Sequence, residues 1–93
     1  MIRHIVCHKY KNEEEAQKIA PMLRALQGKV ESLKRIEVGT DVLKSPRSYH
    51  LVLSCDFEDL AGLEAYKVHP AHKEVQKYIH SVMESSVSVD YEV

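Results

Sequence analysis

Apolar and polar residues alternate over residues 2–10. Ile2, His4, Val6, His8 and Tyr10 fall on one strand face, and Arg3, Ile5, Cys7 and Lys9 on the other. Both faces carry apolar residues at their centres, so the strand is expected to be covered on both sides. The period then lengthens. Ile19, Leu23, Leu26 and Val30 follow at helical spacing, behind an Asn12 N-cap with Glu15 at the capping-box position. Gly28 marks the end of that helix. Pro21 predicts a kink within it, because proline removes a helical hydrogen bond and crowds the preceding turn.

Leu33 to Val38 reads as a short strand, and Gly39, Thr40, Asp41, Ser45 and Pro46 mark a loop. Residues 48–56 form the strongest strand, with Leu51, Val52 and Leu53 apolar in succession. Asp59 can cap a second helix carrying Leu60, Leu63 and Tyr66 on one side. Pro70 suits the first turn of a third, whose Val75, Tyr78, Ile79 and Val82 share a stripe. The tail SSVSVDYEV alternates again, with Val87, Val89 and Tyr91 on one face. The order β-α-β-β-α-α-β predicts an α+β, ferredoxin-like split βαβ unit, with residues 1–93 as a single domain. Helices cover one sheet face. Ile5, Cys7, Val87 and Val89 would leave the other apolar and open. A homodimer packed sheet on sheet, a dimeric α+β barrel, is the expected remedy.

Composition narrows the partners. With 13 Lys+Arg against 14 Asp+Glu the net charge is −1, which removes the basic footprint of a nucleic-acid binder. No apolar run approaches the roughly 20 residues of a membrane span. The opening MIRHIVCHKY is too short and polar for a signal peptide, and Cys7 and Cys55 are too few for a disulfide framework. A cytoplasmic location with free thiols is expected, although a bridge is conceivable if the two strands are neighbours.

Six histidines in so short a chain are the chemical anomaly. His69-Pro70-Ala71-His72 is the densest cluster, three residues after Tyr66. If Pro70 opens a helix, His72 lies in its first turn, where the helix dipole disfavours imidazolium and keeps a neutral base. Tyr66 would donate a hydrogen bond to a carbonyl oxygen rather than act as a base. The same residues serve equally well as helix caps and core filler. His4 and His8 share a strand face about 13 Å apart at 3.3 Å per residue, too far to ligate one metal. No zinc spacing supplies a metal site, and no phosphate loop, serine elbow or dinucleotide-binding glycine pattern occurs, so no cofactor is expected. His50 and His80 are assigned to solvent.

MIRHIVCHKYK, EVGTDV, LVLSCDFEDLAGLEAYKVHPAHKEV and VDYEV together resemble the stress-responsive α/β-barrel domain family over nearly the whole chain. The resemblance implies a ferredoxin-like fold closed with a second copy into a dimeric barrel. Family members include plant stress proteins, bacterial proteins without assigned activity, and a polyketide cyclase that closes a ring by aldol chemistry without a cofactor. Its catalytic tyrosine and histidine match Tyr66 and His72. The resemblance thus implies a ligand pocket for a carbonyl or polyketide-like small molecule, lined by His4, Val6, His8, His69, Val75 and Met83. It leaves open a protein of unassigned activity or a cofactor-free lyase or cyclase with His72 as base and Tyr66 as carbonyl polariser. Pro21, Met22 and Ala25 replace pocket aromatics on the first helix, Met83 replaces a tryptophan, and Ser86 and Ser88 replace apolar residues. The cyclase's substrate is therefore not carried over.

Overall fold

The computed structural model describes all 93 residues, Met1–Val93. Its elements are β1 (Ile2–Tyr10), α1 (Glu15–Arg24), β2 (Arg35–Thr40), β3 (Leu51–Phe57), α2 (Leu60–Val68), α3 (Pro70–Val82) and β4 (Met83–Glu92). The strands form one antiparallel sheet of order β2-β3-β1-β4. This is the ferredoxin-like α+β arrangement, with β1 central and the helices on one face. Register decides which residues meet. Ile2, His4, Val6 and His8 stand opposite Phe57, Cys55, Leu53 and Leu51, all four of them buried under the helices.

Local chemistry explains the helix ends. Asp59 adopts an extended backbone and accepts from the Gly62 N–H at 2.8 Å, which starts α2. His69 ends α2 and caps α3, its Nδ1 accepting from the Ala71 N–H at 3.0 Å, with Pro70 at the first helical position. α1 departs from expectation at both ends. Asn12 Oδ1 accepts from the Glu14 N–H, but the helix starts only at Glu15 and no capping box forms, because the Glu15 carboxylate takes the Tyr78 hydroxyl instead. The helix also stops at Arg24, one turn beyond Pro21, rather than bending and continuing to Gly28. Tight turns from Leu23 to Val30 keep Leu26 and Val30 buried, so the apolar spacing survives without the helix. Gly28 reverses the chain at φ +88°, a conformation that costs glycine little.

Strand ends shift as well. β2 begins at Arg35, and Leu33 instead plugs the core from the preceding turn. β3 begins at Leu51, because Ser45 and Ser48 close a hydrogen-bonded turn just before it. Leu60, expected on the buried side of α2, is 62% exposed, so Leu63 and Tyr66 alone anchor that helix.

The outer sheet face has no cover within the chain. Val87 pairs with Cys7 and Val89 with Ile5 across β1 and β4, and Val52, Val87, Val89 and Tyr91 are all exposed. At one end of this face Asp56 is clamped by Arg3 (2.8 and 3.0 Å) and Arg35 (2.8 Å). These two guanidiniums, Arg3 foremost, hold the Asp56 carboxyl well below the usual carboxylate range. Cys7 and Cys55 are free. Their strands are neighbours, yet Cys7 faces outward opposite Val52 while Cys55 faces the helices opposite His4, so no bridge can form without a three-residue shift of register.

Candidate functional site

A cavity of about 300 Å³ opens between the helices and the β1–β4 half of the sheet. β1 contributes His4, Val6 and His8 along its floor, because alternate residues of a strand point to one side. Tyr66 enters from the last turn of α2 and His72 from the first turn of α3. The extended backbone at His69 and the fixed φ of Pro70 turn the chain sharply between them, which brings the two rings together.

Tyr66 is 1% exposed and sits in an aromatic nest: its ring lies 4.3 Å from His72, 5.1 Å from Phe57 and 6.5 Å edge-on to His4. The His72 contact is a tilted ring packing at 43° between planes, not a hydrogen bond. The Tyr66 hydroxyl is the sole buried side-chain N or O atom without a hydrogen-bond partner in the protein. Burial and the neighbouring Cys55 thiol push its phenol up, so it stays protonated and acts as a donor. Burial also pushes the Cys55 thiol up to about 12, which leaves it an inert neighbour.

His72 Nδ1 lies 3.2 Å from the Lys67 carbonyl. A carbonyl only accepts, so Nδ1 carries the proton and Nε2 keeps a lone pair. Burial, and then the nearby His4, His80 and His69, lower the His72 pKa against the opposing pull of that carbonyl. The result is a neutral imidazole with a free basic nitrogen. His4 is oriented from the opposite side by a close Nδ1 contact to the Asp90 carboxylate of β4.

Of the residues expected at the pocket, His4, Val6, His8, Tyr66, His72 and Met83 converge on this cavity. Two do not. His69 is turned away as the cap of α3 and borders a separate shallow depression with Lys34 and Ala65. Val75 packs against the core instead of lining the cavity. His50 is not a solvent residue either: its Nδ1 accepts from the Tyr10 N–H at 3.0 Å, and its ring stacks on Tyr10. His80 is exposed, as expected, but stands at the cavity rim. Asp90 and Gln76 line the cavity without having been singled out from the sequence. Asp90 shares the face of Ser86 and Ser88, opposite the side of Val87 and Val89, which is where the register of β4 against β1 sets it beside His4. No three His, Cys, Asp or Glu side chains converge to hold a metal ion, and no helix is long and apolar enough to cross a membrane.

Comparison with known proteins places this geometry in a family. The family model described as the stress responsive A/B barrel domain matches residues 2–93, and the chain belongs to that family. None of the curated proteins matches the chain significantly. Among solved structures, a dimeric Bacteroides fragilis protein of unknown function and ferredoxin-like fold is 27% identical, with a TM-score of 0.87 over 99% of this chain and 95% of its own. A dimeric ferredoxin-like protein of unknown function from Thermobifida fusca is 22% identical, with a TM-score of 0.86 over 99% and 90%. A hydroxynitrile lyase from Passiflora edulis is 21% identical, with a TM-score of 0.82 over 99% and 92%. The last two show the shared fold.

Proposed function

We propose that this stress responsive A/B barrel domain protein is a homodimer that binds a small carbonyl compound in the cavity between sheet and helices. The observation that carries the reading is the Tyr66 hydroxyl, a buried donor with no partner in the chain stronger than the weakly accepting Cys55 thiol. Leaving such a group unpaired costs about 1–3 kcal/mol, which a ligand oxygen would recover. Leu23, Leu53, Ile79 and Met83 supply apolar walls for the carbon skeleton. The dimer is supported by the open apolar sheet face and by the dimeric Bacteroides and Thermobifida proteins of the same fold. Titration with nonan-2-one, followed by NMR, should shift resonances of Tyr66 and His72. Tyr66→Phe should weaken binding about tenfold, the value of one buried hydrogen bond. Unchanged affinity in that variant rules the carbonyl site out.

A second reading, proton transfer, is favoured by the free Nε2 of His72. In that step Nε2 takes a proton from the carbon beside the carbonyl. The C–H electron pair moves into the enolate, and the Tyr66 hydroxyl holds the developing oxygen charge. Return of the proton to carbon closes the cycle and needs no cofactor. Exchange of the ketone's α-protons in D2O, lost in His72→Ala, is the measurement that decides it. No exchange above background leaves a binding protein only.

A further inference from the structure

His8 has no part in the proton-transfer chemistry above, yet it lies on the cavity floor and is 7% exposed. It stands about 13 Å from His4 along β1, which puts it at the opposite end of the cavity from Tyr66 and His72. Its Nδ1 lies 2.9 Å from the Tyr10 hydroxyl. Tyr10 is 2% exposed, and its hydroxyl has no other partner. If His8 were the donor here, the buried Tyr10 O–H would have no acceptor. The hydroxyl therefore donates, Nδ1 accepts, and the His8 proton resides on Nε2. That Nε2–H makes no hydrogen bond within the chain. Behind it, Tyr10 is fixed by its backbone bond to His50 and by stacking on that ring. Burial, and then His80, hold the His8 pKa down to about 4, so the ring stays neutral and keeps this tautomer.

The two inner histidines thus show opposite faces to the cavity: His72 a lone pair, His8 a proton. Between them Val6, Leu53, Ile79 and Met83 supply the apolar lining, beside the polar Gln76, His80, Ser86 and Ser88. Building on the carbonyl reading above, we propose that His8 is a specificity-determining donor for a second oxygen of the ligand, with Tyr10 as its positioning residue. The ligand class is an elongated carbonyl compound with an apolar middle and a carboxylate or carbonyl oxygen at its far end. A ligand ending in an alkyl group would leave the His8 N–H unpaired, and one ending in an ammonium would meet a donor with a donor.

The test compares nonan-2-one with 8-oxononanoate, which differ only at the far end. The wild-type protein should bind the oxo acid at least about tenfold more tightly, the value of a hydrogen bond to a charged acceptor. His8→Leu should erase that preference while nonan-2-one still binds, and His8→Gln, which keeps a donor, should restore part of it. Independently of any ligand, 15N NMR should show His8 protonated at Nε2, and Tyr10→Phe should release that tautomer to a mixture. A preference that survives His8→Leu, or an Nδ1-protonated His8 in the wild type, overturns the proposal. Loss of nonan-2-one binding sensitivity to Tyr66→Phe would instead strike the carbonyl reading, and failure of both probes to bind overturns both.

Discussion

Replacing Tyr66 by phenylalanine should make the free protein more stable. The ring is packed against Phe57, His72 and His4, and Phe preserves every one of those contacts. Only the hydroxyl is lost, and it is buried with no partner stronger than the weakly accepting Cys55 thiol. An unsatisfied buried hydroxyl costs about 1–3 kcal/mol. Even the lower figure, about 1 kcal/mol, corresponds to a rise of about 4–8 °C in melting temperature for a domain of this size. Differential scanning calorimetry should therefore show a higher Tm for Tyr66→Phe. Both proteins must be at one concentration, because a dimer's Tm depends on it. Most conservative changes at a core tyrosine have the opposite sign, since they break a satisfied bond. An unchanged or lowered Tm would mean that the hydroxyl is already satisfied without ligand, and the argument for a ligand oxygen at that point would fall.

Three further outcomes are expected. Val89→Asp puts a charge in the middle of the exposed sheet face and should reduce the mass seen by light scattering from about twice 10.7 kDa to 10.7 kDa; a persistent dimer would place the interface elsewhere. His8 is held neutral in the folded chain, with a pKa near 4 against about 6.5 unfolded, so the unfolded chain binds more protons between those values. Stability should fall as pH drops from 6.5 toward 4, and His8→Gln should flatten that fall in a thermal melt series; an identical slope would show that His8 is not desolvated. Asp56 is depressed, so its contribution is present above the unfolded carboxylate value and is lost below about pH 4. Asp56→Asn leaves Arg3 and Arg35 without their counter-charge and should lower Tm at pH 7 while making the acid limb shallower.

Much of this architecture was legible in the residues, and the failures have physical causes. Strict alternation placed β1 and β4, and their register does align Ile5 with Val89 and Cys7 with Val87. Asp59 and Pro70 fixed the starts of α2 and α3, because a cap and a proline act locally. The end of α1 is hidden from the sequence pattern, because Leu26 and Val30 satisfy the core at helical spacing from a run of turns. Apolar spacing records burial, not backbone conformation. The approach of Tyr66 to His72 followed from the turn at His69-Pro70, whereas the pairing of His4 with Asp90 joins residues 86 apart and depends on strand order. The role of His50, accepting from the Tyr10 N–H, leaves no mark in the sequence because it arises only when β1 and β3 lie side by side. His69 neighbours the pocket residues in sequence, yet a histidine just before a helix-opening proline is well placed to cap, and it does.

The opposed thiols of β1 and β3 give the chain two internal clocks. Cys55 is fully buried with a thiol pKa near 12, so a thiol reagent can reach it only when the domain opens as a whole. Cys7 is half-buried on the face assigned to the dimer contact, and would be shielded by association rather than by folding. One alkylation time course would then separate into a fast phase set by dissociation of the dimer and a slow phase set by opening of the domain, both slowing as protein concentration rises. The rate of coming apart and the rate of unfolding would be read from the same unmodified sequence, without a label added to either.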